Sequence, residues 1–192
     1  MIYQRPPVTR PGGEEILLQT KAAYWEQRIK TYGFEKTTDL SLLEVSLHPS
    51  ALPVMGLALV RLGEDGVGFH LAFSRGSTSR FELSLVVSLQ WENAVLGRLS
   101  SLIPMDMLAP RVTPVDVVFF HGPHFGDRYG IFHAAAKALR SRNIRMLAFT
   151  CSGSCIYLVL PKGKSEEAVP ALAEAFDVPL RRSPPSQHRV KE

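Results

Sequence analysis

Apolar and polar positions recur with two different periods along the chain, and these periods predict its elements. Runs that alternate every second residue are typical of strands, and segments whose apolar residues recur every three to four positions are typical of amphipathic helices. In the first part of the chain they predict, in order, a strand at 42–48, a helix at 52–62, strands at 67–73 and 80–88, and a helix at 92–102.

The same order of elements returns further along the chain. The second set comprises a strand at 116–121, a helix at 129–142, strands at 144–150 and 155–160, a helix at 165–176 and a short final strand at 178–180. Residues match as well as elements: 43–48 aligns with 116–121, 70–73 with 146–149, and 93–95 with 167–169, at offsets of 73, 76 and 74 residues. Three matches in the same order favour an internal duplication.

A strand–helix–strand–strand–helix–strand order is that of the split βαβ, or ferredoxin-like, unit. The predicted fold class is therefore α+β, with two tandem ferredoxin-like (βαββαβ) units, each an antiparallel sheet with two helices on one face. The predicted divisions are an N-terminal extension at 1–40, units at 41–112 and 113–182, and a tail at 183–192. Unpaired sheet edges and a bare apolar face predict association, between the two units and in a homodimer that pairs sheets or helices.

The N-terminal extension carries one predicted helix, between Gly13 and Gly33. Leu17, Trp25 and Ile29 recur in it near a period of 3.6 residues. We expect this helix to pack, with its apolar residues lying across one of the sheets, and we give it no role in binding a substrate.

Charge does not indicate a nucleic-acid-binding protein. The net charge is +4, and residues 181–192 contribute +3 of it, from Arg181, Arg182, Arg189 and Lys191 against Glu192. The predicted folded body is thus nearly neutral, whereas nucleic-acid binders place a basic stripe on a folded face. The tail, with two prolines and few apolar residues, is predicted to be disordered.

Several other classes are excluded on residue patterns. The chain has no apolar run of about 18 residues and no apolar core of a secretory signal, so we expect no membrane span and a cytoplasmic location. Its two cysteines, Cys151 and Cys155, form no disulfide framework. Together with His121, His124 and His133 they match no common zinc spacing, so no metal or other cofactor is predicted. No phosphate-binding loop pattern is present either, and we expect no enzymatic activity.

The segment 120–131, FHGPHFGDRYGI, has the most chemical content. Its glycines let the backbone turn sharply and approach a ligand closely, and Asp127 stands where a helix N-cap belongs. A helix N-terminus beneath a glycine-rich loop suits a carboxylate, while Asp127 and loop carbonyls suit an ammonium group. Alternatively, Asp127 only caps the helix and the glycines only make the turn. The candidate ligand-binding residues are Gly122, Phe125, Gly126, Asp127, Arg128, Tyr129, Gly130, Ile131 and Asn143.

Residues 126–131, followed by Ala134, Ala135 and Leu139 and by Asn-Ile-Arg-Met at 143–146, resemble the ACT domains of aspartokinases. The segment 150–156, TCSGSCI, is similar to their Ser/Thr-rich hairpin. The resemblance implies a tandem ACT pair that binds effector amino acids at the loop and first helix, often across an interface between domains.

The sequence also departs from the aspartokinase pattern. Tyr129-Gly130 replaces the Pro-Gly of the family, and the first unit's loop, 49–53, lacks an acidic residue, so we expect that unit to serve mainly as scaffold. The 40 residues before the first unit are too few for a kinase domain. Two functions remain: a regulatory protein that binds a free amino acid, or a ligand-free dimerisation module that partners a separately encoded enzyme or regulator.

Overall fold

The structure is a computed structural model that describes residues 28–76, 80–104, 108–126 and 128–178, with the backbone of two short strands before them. Its strands and helices are β1 (Val8–Thr9), β2 (Glu15–Ile16), β3 (Phe34–Leu47), α1 (Leu52–Glu64), β4 (Phe69–Gly76), β5 (Phe81–Ser88), α2 (Glu92–Leu102), β6 (Leu108–His121), α3 (Ile131–Ser141), β7 (Ala148–Ser152), β8 (Cys155–Pro161) and α4 (Ser165–Ala175). None of the helices within these described ranges is long and apolar enough to cross a bilayer.

Six of these strands form one antiparallel sheet in the order β4-β5-β3-β6-β8-β7, and β1 and β2 pair separately. The α+β class and the antiparallel pairing are confirmed. The larger strands join one continuous sheet, however, rather than one sheet for each half. Each half contributes a strand, a helix, two strands and a helix, in that order.

The two halves are joined by β3 and β6, which are each 14 residues long. They pair antiparallel from Phe34 opposite Phe120 to Leu47 opposite Leu108. Both strands begin well before the predicted starts at 42 and 116. The first residues of each strand pair with a strand segment of the other half, and the later residues pair within their own half. The predicted division between residues 112 and 113 consequently lies inside β6.

Two prolines inside β6 are accommodated because the strand has one neighbour there. Pro110 and Pro114 pair with β3, whereas β8 pairs with β6 only from Val115 onward. The carbonyl oxygen of Pro114 accepts a hydrogen bond from Lys162 N at 3.2 Å, so it points away from β3. The N–H and C=O groups of one residue point to the same side of an antiparallel strand, and Pro110, four residues earlier, has the same orientation. The N–H groups that these prolines lack would point toward an unpaired edge, and no ladder hydrogen bond is lost.

A β-bulge in β3 sets which face each residue occupies. The register shifts between Thr37 and Leu40, where Asp39 has φ +56°. The extra residue reverses the alternation and puts Phe34 on the face that carries the helices. Its ring there contacts the rings of Phe120 and Phe176, with centroids 5.0 and 5.8 Å apart.

All four described helices pack on one face of the sheet, over two separate cores. Leu43 and Val45 contribute to the core beneath α1 and α2, and Val118 and Phe120 to the core beneath α3 and α4. A third apolar cluster, around Leu40, occupies the opposite face. Each half therefore has its own core between the sheet and its two helices.

The N-terminal helix predicted between Gly13 and Gly33 falls largely on 17–27, which lies outside the described residues. The described residues that follow, 28–33, are not helical. Arg28 donates its guanidinium N–H groups to the carbonyl oxygens of Glu174, at 2.5 Å, and Phe176, at 2.9 Å, at the end of α4.

Asp177, which follows α4, forms backbone hydrogen bonds with the segment at 28–33 that precedes β3. Thr31 N donates to Asp177 O at 2.9 Å, and Asp177 N donates to Ile29 O at 2.8 Å. Of the predicted final strand at 178–180, Val178 is not in a strand, and 179–180 and the tail at 183–192 lie outside the described residues.

Candidate functional site

The connection between the first strand and first helix differs in length between the halves. Residues 122–130 join β6 to α3, whereas only 48–51 join β3 to α1. The shorter connection is a 3-10 turn at Pro49–Ala51, in which Nδ1 of His48 accepts a hydrogen bond from Ser50 N at 3.3 Å. The longer loop therefore has more backbone to place around a ligand, and the scaffold role of the first half stays a prediction.

Gly122, the first residue of the loop, is buried against the segment that enters β3. A Cβ at this position would lie 2.5 Å from Cε1 of Phe125, 3.0 Å from Cα of Thr31 and closer still to the carbonyl oxygen of Lys30. Real side chains do not approach other atoms that closely. Because glycine has no Cβ, residues 30–31 can cross the end of β6 at this position. The structure thus gives Gly122 a packing role, and its contact with a ligand stays a prediction.

Phe125 and Ile131 anchor the two ends of the loop in the second core. Both are buried, and the Phe125 ring meets the Phe120 ring edge-on with centroids 5.8 Å apart. Their side chains face the protein interior and not the solvent side of the loop. Any ligand contact they make would come from their backbone.

The residues between these anchors form the solvent side of the loop. Gly126 and Gly130 are exposed, Arg128 is half-buried, and Tyr129 is 86% exposed. Asp127, predicted to cap α3 and to bind an ammonium group, lies outside the described residues. Tyr129 is therefore the described side chain in this stretch that is best placed to contact a ligand.

The N-terminus of α3 begins after a glycine. Gly130, with φ +88°, occupies the N-cap position and has no side chain with which to cap the helix. The carbonyl oxygen of Gly130 accepts from Ala134 N at 2.9 Å, so the first turn is formed. The N–H groups of residues 131–133 consequently point out of the helix end, as an anion-binding terminus requires.

Charge at the helix ends distinguishes α3 from α2 and α4. Glu92 begins α2, and Glu166 and Glu167 lie in the first turn of α4. The first turn of α3 has no acidic residue. The positive end of its dipole is thus not neutralised by its own first turn, and it would stabilise a carboxylate.

An aromatic pair lies beside this helix end. Phe132 is 45% exposed, and its ring centroid lies 4.4 Å from that of Phe149 on β7. The two rings offer an apolar surface next to the N–H groups of α3. This pair is not predictable from the sequence, because no spacing connects a helix residue with a strand residue 17 positions later.

Asn143 lies at the opposite end of α3 from the loop. Helix α3 has 11 residues, a length of about 16 Å. Asn143 has φ +55° and donates its N–H to Arg140 O at 3.0 Å, as Gly66 (φ +81°) does after α1 by bonding to Gly63 O. Its left-handed conformation, in which Asn is favoured, ends the helix. The structure does not bring it together with the loop, and its ligand contact stays a prediction.

A cleft of about 330 Å³ lies elsewhere, between the end of α1 and α2 in the first half. Trp91 forms one wall, and the guanidinium of Arg98 pairs with the carboxylate of Asp65 at 2.5 Å across it. The loop residues do not line this cleft. Because its charged groups pair with each other, we assign it no ligand.

The cysteines and histidines form no metal site in the part of the chain that the structure describes. Cys151 pairs with Ile156 across the β7–β8 hairpin, and Cys155 pairs with Ser152. Directly opposed residues share a face of the sheet and neighbours along a strand alternate. The two thiols therefore lie on opposite faces and do not face each other.

No protein-family model matches this sequence, and no curated protein sequence matches it. Solved structures do match. The ligand-free regulatory subunit of aspartate kinase from Thermus thermophilus has a TM-score of 0.67 at 16% identity, over 77% of this chain and 99% of that chain. Aspartate kinase from Synechocystis has a TM-score of 0.70 at 17% identity, over 83% of this chain and 29% of that chain. E. coli aspartokinase III in complex with lysine and aspartate has a TM-score of 0.55 at 17% identity, over 80% and 35%. The resemblance to aspartokinases is thus confirmed, and the chain has the fold of their regulatory regions.

Proposed function

We propose that this chain is an amino-acid-binding regulatory protein of the ACT type, without a catalytic site of its own. We divide it into two tandem ferredoxin-like units. The first comprises the later part of β3, α1, β4, β5, α2 and the start of β6. The second comprises the end of β6, α3, β7, β8 and α4, with residues 34–37 of β3 in the place of a final strand. The strand order, β4-β5-β3-β6 and β7-β8-β6-β3, supports this division.

The observation that carries the proposal is the N-terminus of α3, which follows the loop at 122–130 and has no acidic residue in its first turn. Its first N–H groups, which have no acceptor within the helix, suit the carboxylate that every free amino acid has. Asp127 and the loop carbonyls would accept hydrogen bonds from the ammonium group. Tyr129 and Phe132, both exposed, would contact the ligand side chain.

The partners we propose are a free amino acid, a second copy of this chain and a separately encoded enzyme or regulator. The matched E. coli aspartokinase III was solved with lysine and aspartate, which supports an amino acid as the effector class. Sheet edges at β4 and β7, and helix surfaces, would serve for pairing in a homodimer. We propose no nucleic-acid partner and a cytoplasmic location.

A thermal-shift screen against the common free amino acids tests the proposal. A ligand at 100 times its Kd should stabilise the fold by about 2.7 kcal/mol, a rise in Tm of about 5–10 °C for a chain of this size. Asp127→Ala and Tyr129→Ala should each reduce the shift. Tyr32→Ala is the matched control, since Tyr32 is also exposed but lies at the end of β6 against His121.

The opposite result would favour the ligand-free pairing module. In that case no amino acid at millimolar concentration changes the Tm. Asp127→Ala then lowers the Tm of the unliganded protein, as the loss of a helix cap does, and Tyr129→Ala has no effect on it.

A further inference from the structure

Helix α1 is apolar on its outer side as well as on the side that faces the first core. Its buried residues are Met55, Ala58 and Leu62. It also exposes four large apolar side chains, whereas the other helices in the described ranges expose one between them, Phe132. The four are Leu52, Val54, Leu57 and Val60, which are 37% to 58% exposed. A helix that is apolar all round is normally packed on more than one side, so the outer side of α1 suits a partner.

A single row of residues forms the outermost part of α1. This outer row consists of Pro53, Leu57, Val60 and Glu64, all of them exposed, at spacings of four, three and four residues. The corresponding row on α3, the counterpart of α1 in the second half, is His133, Lys137 and Arg140. A solvated outer side is therefore present on α3 and replaced by apolar residues on α1.

We propose that two copies of this chain associate through α1, with the two helices antiparallel about a two-fold axis. The spacings of the outer row read the same from either end, so the row is complementary to a second copy of itself. An axis midway between Leu57 and Val60 places each of them opposite the other residue of the partner subunit. Pro53 then lies opposite Glu64 of the partner subunit, and the same contacts occur twice, as an isologous interface requires.

The charges of α1 favour the antiparallel arrangement over a parallel one. The first turn of α1 has no acidic residue. In the antiparallel pair, Glu64 of the partner subunit would stand beside this first turn, at the positive end of the helix dipole. Parallel helices would instead bring two Glu64 carboxylates together.

The remaining charged residue of α1 also has room in the antiparallel pair. Arg61 forms an ion pair with Glu64 of its own helix at 2.9 Å. Counted from the same two-fold axis, Arg61 lies opposite Gly56 of the partner subunit. A Cβ at Gly56 would meet nothing within 4 Å, so the space beside this residue is open to the Arg61 side chain.

This inference rests on the homodimer of the proposed function and names the surface that forms it. Helix α1 has 13 residues and is about 20 Å long. One such helix from each copy makes an interface at the small end of the range for specific complexes. We therefore expect a reversible dimer that dissociates on dilution.

Sedimentation equilibrium of the full chain at several concentrations tests the proposal. The natural chain should change from dimer to monomer on dilution. Leu57→Glu should raise the Kd of the dimer about ten-fold or more, because it places a carboxylate opposite Val60 of the partner subunit. Ser100→Glu is the matched control, since it adds the same charge at an exposed position of α2, and it should leave the Kd unchanged. A natural chain that stays monomeric, or a dimer that Leu57→Glu does not weaken, overturns the proposal.

Cross-linking with a short bismaleimide determines the orientation of the two helices. Cys151→Ala and Cys155→Ala first remove the natural thiols. A mixture of the Pro53→Cys chain and the Glu64→Cys chain should then give a product with one chain of each kind. Each chain alone should give several-fold less product, because two copies of the same residue would lie about 16 Å apart along the antiparallel helices. Products formed mainly by each chain alone overturn the antiparallel arrangement.

Failure of this inference can be distinguished from failure of amino-acid binding. Leu57 belongs to the first half and the loop at 122–130 to the second, so an amino acid that raises the Tm of the natural chain should also raise that of Leu57→Glu. A Tm shift in a chain that stays monomeric overturns the α1 dimer and keeps the amino-acid site. A dimer that Leu57→Glu weakens, but whose Tm no amino acid raises, supports the α1 dimer and contradicts the amino-acid site.

Discussion

The carboxylate of Asp116, buried within β6, accepts a hydrogen bond of 2.7 Å from the hydroxyl of Ser165, the first residue of α4. The same oxygen accepts the backbone N–H groups of Ser165 at 3.2 Å and of Gly163 at 2.9 Å. In the first half, Ser41 within β3 donates to the carboxylate of Glu92 at the start of α2. In each half, a hydrogen bond between a serine and a carboxylate thus joins the first strand to the second helix. The serine is on the strand in the first half and on the helix in the second half.

Asp116→Ala should destabilise the protein by about 3 kcal/mol, because it removes a charged acceptor and leaves buried N–H groups without a partner. Urea unfolding followed by circular dichroism measures this. Ser165→Ala, which removes one donor and leaves both backbone hydrogen bonds in place, should cost about 1 kcal/mol. Equal losses for the two variants would show that the carboxylate does not hold the helix terminus.

Gly122→Ala should cost about 2–3 kcal/mol, because its Cβ would overlap the backbone of residues 30–31. The matched control in the same loop is Gly126→Ala, since a Cβ at Gly126 meets nothing within 4 Å. The control should change the free energy of unfolding by less than about 0.5 kcal/mol. A stable Gly122→Ala protein would contradict the close approach of the entering segment.

Asn143→Gly should leave stability nearly unchanged, because glycine adopts the left-handed conformation without cost. Asn143→Val should cost about 1–2 kcal/mol, since a branched side chain is strained at φ +55°. Thermal unfolding compares the two variants. If an amino acid shifts the Tm of the natural chain but not of Asn143→Gly, the side chain contacts the ligand after all.

The stability of the protein should depend on Tyr157 at alkaline pH. Partial burial raises the pKa of the Tyr157 hydroxyl above its ordinary value of 10.0, and the neighbouring Cys155 thiol raises it further. A raised pKa in the folded state gives stability that is complete below the unfolded value and is lost as the pH rises through the folded value. Tyr157→Phe should therefore flatten the decline in stability above pH 10.

A titration of tyrosinate absorbance gives the control for this effect. Cys155→Ala should lower the pKa of Tyr157 toward its ordinary value, because the charge and hydrogen bond of the thiol are removed. Cys151→Ala, on the opposite face of the hairpin, should leave it unchanged. An identical titration in the Cys155 variant would contradict the contribution of the thiol.

The candidate site was predictable in part. The glycines and the helix after them located a loop that ends at a helix N-terminus, because turn chemistry and caps are local in the sequence. The aromatic pair of Phe132 and Phe149 was not predictable, since packing of α3 on β7 brings the two rings together. Asn143 was grouped with the loop by family resemblance, and the length of α3 separates the two.

From β3 to α4, the sequence by itself determined the order of the elements and the extents of the helices, since periodicity, glycines and prolines act over a few residues. It also determined that the arrangement occurs twice. The sequence alignment of the two halves matches residue 43 with Asp116, whereas the structural counterpart of Asp116 is Ser41. The residue after each of them shows this correspondence, because Leu42 pairs with Val86 on β5 and Val117 pairs with Val159 on β8. Both alignments keep the same face apolar, because a shift of two residues in a strand changes no side-chain orientation.

Only the tertiary structure decided the register of the strands in the two halves and their union in a single sheet. The long antiparallel pairing of β3 with β6, and the bulge at Asp39 within it, bring together residues more than 70 positions apart. Pairing over such distances depends on which side chains fit across the sheet and not on any local pattern. For that reason the two halves share their central strands, and their helices lie on one side.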